Sequence, residues 1–146
     1  MKKRTVIDLV ACMLIFLFIY TSLSKLNDIY RFQAAIKQSP LIGDRSVFFS
    51  WAIPITELII SLFLVIPRTR LLGIFGSFLL MLLFTGYIGY MIAFTPQLPC
   101  QCGGVLKDMT WTQHLFFNIG FTILALTGIL LHRNRAESQF NSFNVA

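Results

Sequence analysis

Four apolar blocks divide this chain, and they constrain its fold more than any other feature. Val6 to Tyr20 is apolar except for Asp8 and a terminal Tyr, and its helical character runs on to Leu26. Phe48 to Ile66, Leu71 to Phe94 and Thr112 to Leu131 follow. A bilayer core of about 30 Å needs roughly 20 helical residues at ~1.5 Å each, and every block reaches that length with its flanks. A soluble domain of 146 residues could not hide a chain that is 56% hydrophobic and 12% charged, with mean hydropathy +0.75. The pattern predicts an all-α membrane protein, a four-helix transmembrane bundle. Its spans run over about 5–26, 47–66, 71–94 and 110–131, forming one domain over 1–132, with a polar cytoplasmic tail over 133–146.

MKKR before an apolar run followed by TSLS also fits a cleavable signal peptide, and Leu9-Val10-Ala11-Cys12 fits a lipoprotein box. Few residues precede Cys12, Asp8 interrupts them and the run continues past it. With three more spans behind it, the segment is expected to stay as the first helix of the bundle. Basic residues orient the spans. Lys2, Lys3, Arg4, Arg68, Arg70, Arg133 and Arg135 fall on one side; Lys25, Arg31, Lys37, Arg45 and Lys107 are spread over longer loops on the other. Both termini should therefore be cytoplasmic and the Cys100 loop periplasmic. The net charge of +6 follows from this topology and gives no reason to invoke nucleic acid.

After the first span, Leu26, Ile29, Phe32 and Ile36 fall on one helical face, with Asp28, Arg31 and Lys37 elsewhere. This reads as an amphipathic segment on the membrane surface, stopped at Ser39-Pro40, or as a continuation of the first helix. The third span carries Gly73, Gly76, Ser77, Gly86 and Gly89, small residues that let helices approach closely in lipid. Glu57 lies well inside the second span, where a carboxylate must be protonated, paired or facing a wet cavity. Lys25, at the outer end of the first span, is its expected partner in a structural ion pair; proton handling is the sharper alternative.

The stretch PCQCGGVLKDMTWTQHLFFN, residues 99–118, holds the chemistry. As a staple, a Cys100–Cys102 bridge would remove only ~1.5 kcal/mol of unfolded-state entropy. A metal site wants about four ligands, and Cys100, Cys102, Asp108 and His114 make a weak set, so no metal is expected. A redox pair needs two sulfurs that meet in a strained, exchangeable bridge with access to partners. A Pro- and Gly-flanked outer loop meets those needs; an inert oxidised bridge is the alternative. Cys12 is separated from the outer surface by ~20 Å of helix, while a disulfide requires Cα atoms within ~7 Å. It is expected to be buried apolar filler. Thr110 and Gln113 have capping-box spacing, so the last helix should start there. His114, Asn118 and Thr122 then lie one turn apart on one face. They serve either as interhelical hydrogen-bonding groups or as a site in which His114 tunes a thiolate or handles a proton, while Asn118 and Trp111 border a quinone-sized pocket.

Ser24-Lys25-Leu26, Phe32, Glu57 and PCQCGG…TWTQHLFFN together resemble the MauE/DoxX family of bacterial four-helix inner-membrane proteins, over roughly residues 4 to 132. The CxCGG–Trp–x–x–His–x–x–x–Asn constellation is the most specific part. The resemblance implies a link to methylamine utilisation and maturation of a disulfide-rich periplasmic amine dehydrogenase, or to quinone-coupled sulfur oxidation for DoxX-type relatives. The bundle is also similar to vitamin K epoxide reductase, but this chain lacks a CxxC motif and a second outer pair. Two functions therefore stand. One is a thiol–disulfide oxidoreductase that uses Cys100, Cys102 and His114 between a periplasmic thioredoxin-fold or disulfide-rich partner and quinone. The other is a non-catalytic membrane subunit or assembly factor with a structural CxC bridge.

Overall fold

A computed structural model describes residues 2–95 and 109–145. It contains α1 (Lys2–Asn27), α2 (Ile29–Lys37), a 3-10 turn (Gly43–Arg45), α3 (Ser46–Val65), α4 (Arg70–Phe94) and α5 (Trp111–Val145). Four of these helices, α1, α3, α4 and α5, are long and apolar enough to cross a membrane. No strand occurs among the described residues.

The four long helices close a ring in the order α1–α3–α4–α5, in which α1 and α4 are diagonal and α2 packs on α3. The core is built from a stripe at helical spacing on α1, namely Ile7, Val10, Ala11, Leu14, Leu17 and Phe18. It meets Ile60 and Leu64 of α3, Ile74 and Met81 of α4 and Ala125 of α5. Large apolar residues such as Leu9, Phe16, Leu62, Leu72 and Phe116 instead point outward. That distribution suits a solvent of acyl chains, where outward leucines lose nothing and helix association relies on close packing and polar contacts.

Close packing is sharpest between α3 and α4. A Cβ placed on Gly73 would lie 2.8 Å from the Leu64 backbone nitrogen and 2.9 Å from its Cγ. Gly128 of α5 is also tight, with Val10 at 3.1 Å and Ile74 at 3.2 Å. Gly86 and Gly89, by contrast, would meet nothing within 4 Å, so the expected packing role does not extend to them. Gly73→Ala should therefore destabilise the solubilised protein by about 1–3 kcal/mol through overpacking. Gly86→Ala should be neutral or slightly stabilising, since Ala is the better helix former. Denaturant unfolding in mixed micelles measures both, and equal effects would remove the close approach as the cause.

Of the two readings of the amphipathic segment, the structure shows a separate helix: Asp28, at φ −129° and ψ 55°, breaks it from α1, and Ile36 is its buried residue. Two other expectations change. Cys12 is free and exposed rather than buried, because it lies off the Val10–Ala11–Leu14 stripe and faces outward from α1. Finally, α5 does not stop near residue 131 but continues to Val145. No Gly or Pro follows Gly128, and Leu, Arg, Ala, Glu and Gln favour helix. The polar segment over 133–145 is thus helical, with Phe140 and Phe143 exposed.

Candidate functional site: an apolar cavity with a buried ion pair

Residues 96–108, and with them Cys100 and Cys102, lie outside the described residues. The segments on either side are described. Thr95 closes α4, its backbone N–H donating to the Met91 carbonyl at 3.1 Å. On the far side, the Thr110 N–H donates to Gln113 Oε1 at 3.0 Å, and the Gln113 N–H donates to Thr110 Oγ1 at 3.2 Å. This reciprocal pair satisfies two amides at the start of α5. It delivers the next turn, with Trp111 and His114, to the end of the bundle that bears the cysteine loop.

At that end the helices line a half-open cavity of about 520 Å³. Its walls are mostly apolar, from α1, α2, α3, α4 and α5, and include Phe18, Phe32, Phe49 and Phe84. Lys25 and Glu57, expected as an ion pair, and Trp111, His114 and Asn118, expected around a pocket, all line this one space. Their convergence required the fold: they come from three helices, and only Trp111, His114 and Asn118 are close enough in sequence to share a face.

Lys25 Nζ donates to Glu57 Oε1 at 2.6 Å. The Glu57 side chain is 1% exposed and that of Lys25 16%. The ammonium also sits 5.8 Å from the Phe32 ring centroid and 5.7 Å from that of Phe84, within cation–π range. Phe84 had no sequence signal, being one Phe among many in an apolar span. The other carboxylate oxygen, Glu57 Oε2, is buried and has no hydrogen-bond partner among the described residues. The Thr21 hydroxyl lies beside this carboxylate and also faces the Phe18 carbonyl at 3.4 Å.

Down α5, Asn118 Nδ2 donates to the His114 carbonyl at 2.9 Å, and Thr122 Oγ1 donates to the Asn118 carbonyl at 2.7 Å. Thr85 of α4 and Thr122 lie 3.3 Å apart, oxygen to oxygen. Asn118 is 3% exposed, so the polar face of α5 turns inward, as polar groups in lipid must. At the opposite end of the bundle, Arg70 pairs with Asp8 of α1. Sequence inspection had read Asp8 only as an interruption of an apolar run.

With this geometry in view, comparison with known families is decisive. The family model described as Methylamine utilisation protein MauE matches residues 3–131. The chain belongs to the MauE family. The match takes in the elements that line the cavity, together with residues 96–108, and ends in the fourth span of the MauE-family bundle. No curated protein and no solved structure matches the chain.

Proposed function

We propose that this MauE-family chain supports periplasmic thiol–disulfide exchange. In this reading it passes electrons between a thioredoxin-fold or disulfide-rich partner and quinone through Cys100 and Cys102, in the maturation of an amine dehydrogenase-like protein of methylamine utilisation. It sits in the bacterial inner membrane with both termini cytoplasmic and the cysteine loop periplasmic, an orientation supported by the distribution of Lys and Arg.

The observation that carries this reading is the cavity at the cysteine-loop end of the bundle. An apolar, ring-accommodating space with few polar groups is the usual form of a cofactor site. The donor set fits a quinone. Lys25 has hydrogens beyond the one given to Glu57 Oε1, and the His114 ring adds a further polar group on the wall. A quinone held there would supply a sink for the two electrons and two protons released when Cys100 and Cys102 close to a disulfide. The protein's own tasks are then separable. Lys25 and His114 orient and polarise, Asn118 and Trp111 border the space, and the phenylalanines exclude water. His114 is also the nearest titratable side chain to follow the cysteines in a described segment, which supports its role beside a thiolate.

The test is the redox state of Cys100 and Cys102 in intact cells with and without respiratory quinone, read by alkylation under denaturing conditions and gel mobility. Free Cys12 contributes a constant single tag. With quinone, the pair should be oxidised and add none; without it, the reduced pair should add two. A pair that stays oxidised in quinone-free cells would make the bridge structural and the chain a non-catalytic subunit or assembly factor.

A further inference from the structure

Two buried side-chain atoms lack a hydrogen-bond partner among the described residues, Ser22 Oγ and Glu57 Oε2. Ser22 does not line the cavity, whereas Glu57 does. An unpaired buried oxygen loses its water without compensation, and a charged one loses more. In Glu57 the loss is confined to one oxygen, because Oε1 is held by Lys25 Nζ at 2.6 Å. Whether the shared proton rests on the nitrogen or on Oε1, the second oxygen is an acceptor. What it lacks is a donor in hydrogen-bond geometry, and apart from the Thr21 hydroxyl the wall around it is largely aromatic and aliphatic.

We infer that Glu57 Oε2 is the acceptor for a ligand hydroxyl, so that the cavity takes a phenol-type ring, the reduced member of a quinone pair, in preference to the same ring without an O–H. The inference rests on the cavity being the ligand site proposed above, and adds which chemical form it prefers. A quinone offers only carbonyl acceptors, which can use Lys25 but leave Glu57 Oε2 unsatisfied. A hydroquinone supplies both kinds of group, accepting from Lys25 and donating to Glu57. The ion pair thus presents a donor and an acceptor side by side, matched to a ring hydroxyl. By linkage, a site that holds the hydroxylated form more tightly makes the bound quinone a stronger oxidant than the free one. That bias favours electron flow from the dithiol into the cavity.

The experiment uses two redox-inert probes, 4-hexylphenol and its methyl ether 4-hexylanisole. Each is titrated calorimetrically into the full-length protein in detergent and corrected with empty micelles. A hydrogen bond to a charged acceptor should make the phenol bind about tenfold or more tightly than the ether. Lys25→Met/Glu57→Leu, which replaces the pair by apolar groups of similar size, should bring the ratio of the two affinities close to one. Equal affinities in the wild-type protein would assign the unpaired oxygen to a structural water and overturn the inference without recourse to any variant. A phenol preference that persists in the double variant would also overturn it, by placing the acceptor elsewhere. Binding of neither probe would remove the cavity as a ring site, whereas exchange at Cys100 and Cys102 is read independently by capture of its partner.

Discussion

Breaking the Lys25–Glu57 pair from one side is expected to destabilise the solubilised protein by about 3 kcal/mol or more, the range for a buried pair stripped of one partner. The two single variants should differ. Lys25→Met leaves a carboxylate that is 1% exposed with neither oxygen bonded. Glu57→Gln leaves an ammonium that is 16% exposed, still near the Phe32 and Phe84 rings, and able to extend its stem toward the interface. Lys25→Met should therefore be the more damaging. Lys25→Met/Glu57→Gln should lose less than the sum, with a coupling of about 1–3 kcal/mol. Denaturant unfolding of the four proteins in mixed micelles gives the cycle. Additivity within ~0.5 kcal/mol would mean that the two groups act independently.

Loss of Cys100 or Cys102 should have the larger functional effect. Exchange proceeds by thiolate attack through a mixed disulfide, which the second thiol then resolves. Cys102→Ser should consequently trap a covalent complex with a periplasmic protein, or Cys100→Ser should if the roles are reversed, and in both variants turnover should fall to background. Non-reducing electrophoresis of cell membranes, with and without dithiothreitol, reads the complex directly. In the proposed exchange, the positive dipole end at the capped N-terminus of α5, which follows the pair in sequence, would favour a thiolate. If neither variant traps a partner, and the wild-type bridge resists strong reductant in the folded protein, the bridge is structural.

The spans were legible because lipid demands about 20 apolar residues in a row, a requirement written in one dimension. The start of α5 was legible for a similar reason, since a capping box is a local device: Thr110 and Gln113 carry it in full. Rotation about each helix axis was not legible. α1 is apolar nearly all round, so nothing in its composition shows that Ile7, Val10 and Leu14 face inward while Cys12 faces out. The same ambiguity hid the difference between Gly73, pressed on Leu64, and Gly86, which faces open space. Strongly polar side chains escape the ambiguity because lipid disfavours an outward face for them in mid-span, whereas a hydroxyl such as that of Thr127 faces out by bonding its own helix backbone. Glu57, Asn118 and His114 could thus be assigned to the interior from sequence, whereas Phe84 could not. Asp8 and Arg70 lie near the membrane boundary, where charges are tolerated singly, so their pairing had no signature.

Those two ion pairs fasten α1 near both of its ends, Asp8 to α4 and Lys25 to α3, and this has a consequence for biogenesis. Glu57 is 32 residues from Lys25 in the chain, and Arg70 is 62 from Asp8. At ~5–20 residues per second of synthesis, the nascent α1 waits roughly 2–6 s for the first counter-charge and 3–12 s for the second. Until then Asp8 and Lys25 can be met by water, by headgroups or by charges beside them in the chain such as Arg4 and Asp28, all near the two ends of the helix, so those ends are held apart before α3 and α4 arrive. When α3 and α4 enter, they meet a partner whose charged ends already lie at opposite membrane faces.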